Sequence, residues 1–220
     1  MAGFAPQLQV RQQAILPEQT ALLFVDCQNY NCHRSGAEYA ESSGGHSAEE
    51  LAYWWQQMER VQPKWQQLQQ ACRDAQVEVI YTVMQSLTKD GRDRSLDYKI
   101  SGFHIPPNTF DAQVCDCIKP GEDEMTFSKT SSSVFISTNL DYVLRCLGTR
   151  QLIMAGCLTD QCVESAVRDA CDLHYLVTLV TDCCATYSQE RHTSSLKAIQ
   201  GYCRQRDLQE LMQELQKNKR

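Results

Sequence analysis

A thiol, an amine and a carboxylate are enough to cleave an amide, and this chain of 220 residues offers one of each where a fold could gather them: Cys162, Lys129 and Asp26. The thiolate is the attacking form of cysteine, and both a neighbouring ammonium and the unpartnered amides of a helix start favour it. A carboxylate in reach can take the thiol proton and later hand it to a departing amine. Turn amides near the helix start can hold an oxyanion. Each residue also has a plainer use. Cys162 can be a small buried hydrophobe, Asp26 a turn or cap after a strand, and Lys129 an ordinary loop cation. Whether the three meet decides between the readings.

The elements that would position them begin with residues 151–186. Leu152-Ile153-Met154-Ala155 is an apolar run of buried-strand length, and Gly156 to Asp160 reads as a polar turn. Val163, Ala166, Val167 and Ala170 then recur at helical spacing, with Cys162 in the first turn of that helix. Tyr175 to Val180 is a second strand run, closed by Thr181-Asp182. Strand, helix and strand with short connections make a βαβ unit, which implies a parallel sheet. Ala21 to Val25 is another apolar strand, ending in Asp26. Val77 to Met84 is a fourth, with Gln85 just past its end, and Met125-Thr126-Phe127 a short fifth, ending near Lys129. A parallel sheet collects the carboxyl ends of its strands along one edge, where ligands bind. Asp26, Lys129 and Cys162 all belong to that edge.

The remaining chain reads as one domain over 1–220. Residues 1–18 form an irregular arm broken by Pro6 and Pro17, and 29–45 a polar loop with Gly36, Gly44 and Gly45. Ser47 and Glu50 make a capping box for a helix through Leu51, Trp54, Trp55 and Met58. Pro63 is expected to kink or restart it before Trp65, Leu68 and Cys72. Residues 86–120 lack clean periodicity and read as a long loop or lid, with one short helix within 110–118. Ser137 or Thr138 caps a helix over 139–147 that Gly148 ends. Helices follow over 189–202 and 207–216.

A net charge of -6 and the absence of a basic cluster argue against nucleic acid as a partner. No apolar run approaches a membrane span, and the first residues lack a signal-peptide core. Twelve cysteines without a paired C-x-x-C point to reduced thiols in the cytoplasm rather than zinc or a disulfide framework. The five histidines show no metal-ligand spacing, and no cofactor is expected.

The segments ALLFVDCQN (21–29), FSKTSSSVF (127–135), GCLTDQCVESAVRDA (156–170) and TDCCAT (181–186) resemble the isochorismatase-like cysteine hydrolase superfamily. The resemblance implies an α/β fold, a doubly wound and mainly parallel sheet with helices on both faces. It implies Cys162 as nucleophile, Asp26 as proton carrier and Lys129 as the third triad member. It also implies a cis peptide between Cys157 and Leu158 that aims the amides of Leu158 and Cys162 at an oxyanion. Nicotinamidases of the superfamily carry a metal site after the strand that here is 77–84. This chain has Met84-Gln85-Ser86 there and no histidine, so the resemblance implies the metal-free amidohydrolase branch, near the ureidoacrylate, biuret and N-carbamoylsarcosine hydrolases. The substrate expected is a small amide or ureide. Gln85 would bind its amide or ureido group, Arg92, Arg94, Tyr98 and Lys99 a carboxylate, and Asn29 and Phe135 would line the pocket. The superfamily implies a homo-oligomer, dimer or tetramer, with the tryptophan-bearing and C-terminal helices as contacts. A vinyl-ether hydrolase acting without a covalent step, a silent scaffold of the same fold and a redox thiol protein stand as rivals.

Overall fold

The computed structural model describes residues 10–39 and 45–217. Residues 1–9 of the expected arm, with Pro6, and Gly44 of the expected loop lie outside the described residues. Six strands form one sheet: β1 (Thr20–Val25), β2 (Glu78–Met84), β3 (Met125–Lys129), β4 (Gln151–Cys157), β5 (Leu176–Ala185) and β6 (Arg204–Arg206). Their order is β3-β2-β1-β4-β5-β6 and every pairing is parallel. The order reverses direction beside β1, so the crevice at the carboxyl ends of β1 and β4 is the topological switch point of a doubly wound sheet.

Strand alternation builds the two cores. Leu22 and Phe24 face one side with Val79, Tyr81 and Ile153; Ala21, Leu23 and Val25 face the other with Ile80, Leu152 and Met154. Helices cover both faces, so every residue of β1 and β4 is buried. The first face is covered by the long helix (Ala48–Asp74) and the C-terminal helix (Leu208–Lys217); Val163, Ala166, Val167 and Ala170 pack on the second. Each buried Leu, Val or Phe contributes about 1.5–3 kcal/mol relative to exposure.

Three local expectations change. The long helix runs unbroken through Pro63. Trp54, Met58, Val61, Trp65, Leu68 and Cys72 continue one buried stripe across the proline, and that packing outweighs a local cost of about 3 kcal/mol. Residues 110–118 hold two short 3-10 turns in place of one helix. Strand β6, Arg-Gln-Arg at the sheet edge, has no apolar alternation to announce it. The sheet-facing stripes of the tryptophan-bearing and C-terminal helices are used inside the chain: Trp54, Trp65, Leu208, Leu211 and Leu215 are core. Those stripes are therefore not available for an oligomer contact.

Candidate active site

Asp26 follows the last residue of β1 with φ at 51°, a left-handed turn that asparagine and aspartate tolerate best after glycine. Its amide donates to the Thr82 carbonyl (3.1 Å) and its Oδ1 accepts from the Thr82 hydroxyl (2.9 Å), so β2 holds the carboxylate still. Lys129 ends β3, in register with Met84 of β2. Beside β1, Gly156 has φ at 127°, and a Cβ there would lie 2.1 Å from the Val25 carbonyl oxygen. Only glycine lets β4 press this close to β1. The Cys157–Leu158 peptide is cis.

Gly156 and Cys157 are still strand, so the turn begins later than their polarity suggests. It opens a widened first turn, Thr159–Val163, in which the Val163 amide reaches back five residues to the Leu158 carbonyl (3.2 Å). An α-helix over Glu164–Asp172 continues it. Cys162 is carried on that widened turn, not on an ordinary first turn.

The three residues meet. Lys129 Nζ lies 2.9 Å from Asp26 Oδ2 and 3.3 Å from Cys162 Sγ, and donates to the Ser131 carbonyl (2.9 Å). The Tyr98 hydroxyl joins them, 2.9 Å from Lys129 Nζ and 3.8 Å from Cys162 Sγ. Asp26 and Lys129 are fully buried and Cys162 is 6% exposed, yet the sulfur opens on a cavity of about 350 Å³. Its wall includes Asn31, Glu38, Tyr98, Phe103, Leu158 and Gln161.

The electrostatics correct one expectation. Burial pushes the Cys162 thiol up; Lys129 pulls it down, but the charge of Asp26 pushes it up again, to about 12. The resting sulfur is held toward the protonated form, beside the Lys129 ammonium that also contacts Asp26. Burial works against the Lys129 charge, but Asp26, then Cys162 and Tyr98, outweigh it and hold the ammonium well above the ordinary lysine range. Burial likewise raises the Tyr98 phenol, against the pull of Lys129.

Of the seven residues expected to meet substrate, Tyr98 lines the cavity, and Gln85, Asn29, Phe135, Arg92, Arg94 and Lys99 do not. Gln85 donates to Ser128 Oγ (2.7 Å) and accepts from the Asn108 amide (3.4 Å), tying β2 to its neighbours. Asn29 donates to the Phe110 carbonyl (3.1 Å). Phe135 stacks on Tyr175, ring centres 6.1 Å apart. Arg92 lies on the surface against Asp90 (3.1 Å). Sequence reasoning missed Asn31, Glu38, Phe103 and Gln161: the expected polar loop over 29–45 instead holds a buried short helix (Asn29–Cys32) with Asn31 and a 3-10 turn (Ala37–Tyr39) with Glu38, Phe103 comes from an irregular stretch and Gln161 from the widened turn. The segment 86–120 does serve as wall, through Tyr98, Ser101 and Phe103.

The chain is thus a doubly wound α/β protein with a thiol, an ammonium and a carboxylate gathered at its switch point. The Isochorismatase domain family model matches residues 20–207, and the chain belongs to that family. Ureidoacrylate amidohydrolase RutB of Acinetobacter baylyi is 26% identical over 229 residues, covering 91% of this chain and 86% of that protein. The same-named protein of Agrobacterium fabrum is 36% identical over 84 residues, 38% of this chain, and the match spans only 37% of that relative's length. A cysteine hydrolase from Pseudomonas syringae pv. phaseolicola shares the fold, with a TM-score of 0.79 at 24% identity, over 94% of this chain and 96% of that one. Among the described residues no helix is long and apolar enough to cross a membrane. All twelve cysteines are free thiols.

Proposed function

We propose that the protein hydrolyses a C–N bond of a small amide or ureide through a thioester on Cys162. The observation that supports this most directly is the single ammonium in contact with both the Asp26 carboxylate and the Cys162 sulfur, beside an open cavity. Asp26 Oδ2 accepts the thiol proton as sulfur attacks the carbonyl carbon, so no free thiolate has to persist in the resting site. The oxyanion is received by the amides of Leu158 and Cys162; those of Gln161 and Val163 are already bonded to the Leu158 carbonyl. The C–N bond breaks as Asp26 returns the proton to the amine. Water, losing a proton to Asp26, then cleaves the thioester, and the sulfur regains its proton as the acid leaves. Lys129 contacts both groups and balances charge as it passes between carboxylate and sulfur. Tyr98, bonded to Lys129, fixes the ammonium's direction.

The relatives named ureidoacrylate amidohydrolase favour a carbamoyl or amide substrate over a vinyl ether. A panel of ureides, primary amides and a vinyl ether, assayed for ammonia or pyruvate release with and without chelator, tests this. Ammonia release insensitive to chelator is expected; release of pyruvate alone would overturn the proposal.

A further inference from the structure

The charge of the cavity bears on which amides or ureides can enter, an inference that rests on the hydrolytic reading above. The described residues lining the cavity include Asp26, Glu38 and Asp97 and no lysine or arginine. Asp26 is balanced by Lys129 behind the wall. Glu38 is a buried carboxylate, held by the Tyr187 hydroxyl (2.7 Å) and by His46 Nε2 (3.2 Å). It also faces an adjoining cavity, whose one arginine, Arg191, is engaged by Asp160 at 2.5 Å.

The cations that the sequence offered for a substrate carboxylate are elsewhere. Arg92 is on the surface against Asp90. Arg94 donates to the carbonyls of Gly91 (2.9 Å) and Phe103 (2.5 Å), bracing the segment. Lys99 is exposed and, like the other two, absent from the cavity wall. Residues 40–44, Ala-Glu-Ser-Ser-Gly, contain no lysine or arginine either.

A carboxylate entering this space would leave water without a cation to receive it and would approach Glu38. An N–H-rich or ammonium group would meet an acceptor. We propose that Glu38 selects substrate by charge: the site takes small amides or ureides whose far end is a neutral N–H donor or an ammonium, and rejects those ending in a carboxylate. Asn31 and Gln161 offer the remaining polar groups for a neutral end.

The test is a series of equal reach, 3-ureidopropionate, 3-ureidopropionamide and (3-aminopropyl)urea, assayed for ammonia release with wild type and Glu38→Gln. In wild type, kcat/KM for the carboxylate is expected to fall about tenfold or more below the other two. Glu38→Gln is expected to shrink that ratio to about threefold or less, a change that a purely structural role for Glu38 would not produce. A wild-type preference for the carboxylate, or an undiminished ratio in Glu38→Gln, overturns the proposal. The wild-type order decides alone if the variant does not fold. If no ureide turns over, the hydrolytic reading fails separately. Protection of Cys162 from iodoacetamide by the same three compounds then still reads the charge preference: ammonium and carboxamide above carboxylate upholds it, and an equal or reversed order sinks it.

Discussion

Two sulfurs five residues apart line the same cavity, and their surroundings differ. Cys162 touches an ammonium at 3.3 Å, and that ammonium also contacts the Asp26 carboxylate at 2.9 Å. Cys157 touches the Asp26 backbone carbonyl (3.4 Å), the Cys32 sulfur (3.7 Å) and the Asn31 side-chain amide (3.5 Å). One thiol has a route for its proton; the other is packing for the β4 end and the first core. On the proposed mechanism, nucleophilicity is therefore a matter of a proton acceptor beside the thiol, since the resting Cys162 thiol is itself a weak acid at about 12.

The largest expected difference between the two follows from that. Cys162→Ala should lose about 10,000-fold or more in kcat while folding normally, and Cys157→Ala should stay within about tenfold of wild type. Ammonia-release kinetics beside circular dichroism would read both. Equal losses would erase the distinction.

Asp26→Asn separates acidity from catalysis. It removes the group that raises the Cys162 pKa and leaves Lys129 to lower it. Alkylation of Cys162 at pH 7 should become faster, while turnover drops about 1,000-fold for want of a proton carrier. If turnover rose together with alkylation, a preformed thiolate would be the working form and the proton-transfer account would be wrong.

Lys129→Met tests the same cluster through stability. The pair is buried on both sides, so removing one partner strands Asp26 and should cost about 3–5 kcal/mol in urea unfolding. A loss below about 1 kcal/mol would mean that the buried pair does not hold the cluster together.

The smallest effect is on alkaline stability. The folded Cys162 pKa of about 12 lies above the unfolded value of about 8.5, so the fold keeps a proton that the unfolded chain releases. Its contribution is complete below about pH 8.5 and is lost as pH rises toward 12. Burial raises Cys72, Cys183 and Cys184 in the same sense. The melting temperature in reductant should fall between pH 8 and pH 10.5, and slightly less steeply in Cys162→Ala. A flat profile would contradict the buried thiol.

What the sequence made legible follows the sheet. Asp26, Lys129 and Cys162 could be found because apolar runs mark strands and a parallel sheet aligns their ends, and the family segments then fixed their roles as expectations. Tyr98, expected with Arg92 at a substrate carboxylate, lines the cavity with its hydroxyl on Lys129 and near the sulfur, while Arg92 lies on the surface. Glu38 and Phe103 stayed hidden because a three-residue 3-10 turn and an irregular stretch are too short to show a period, and their direction is set by distant contacts such as Tyr187 with Glu38. Gln85 sat at the right edge, but Ser128 and the Asn108 amide occupy its two polar ends. A strand end places a backbone, and only the packed neighbours decide where its side chain is used.

The most direct measurement is a rapid quench during turnover of a neutral ureide, followed by digestion and fragment-ion mapping of the peptide that spans both sulfurs. The account predicts a carbamoyl group on Cys162, absent from Cys157 and absent throughout in Cys162→Ala. Steady turnover with no adduct on Cys162, or with the adduct on Cys157, would contradict it.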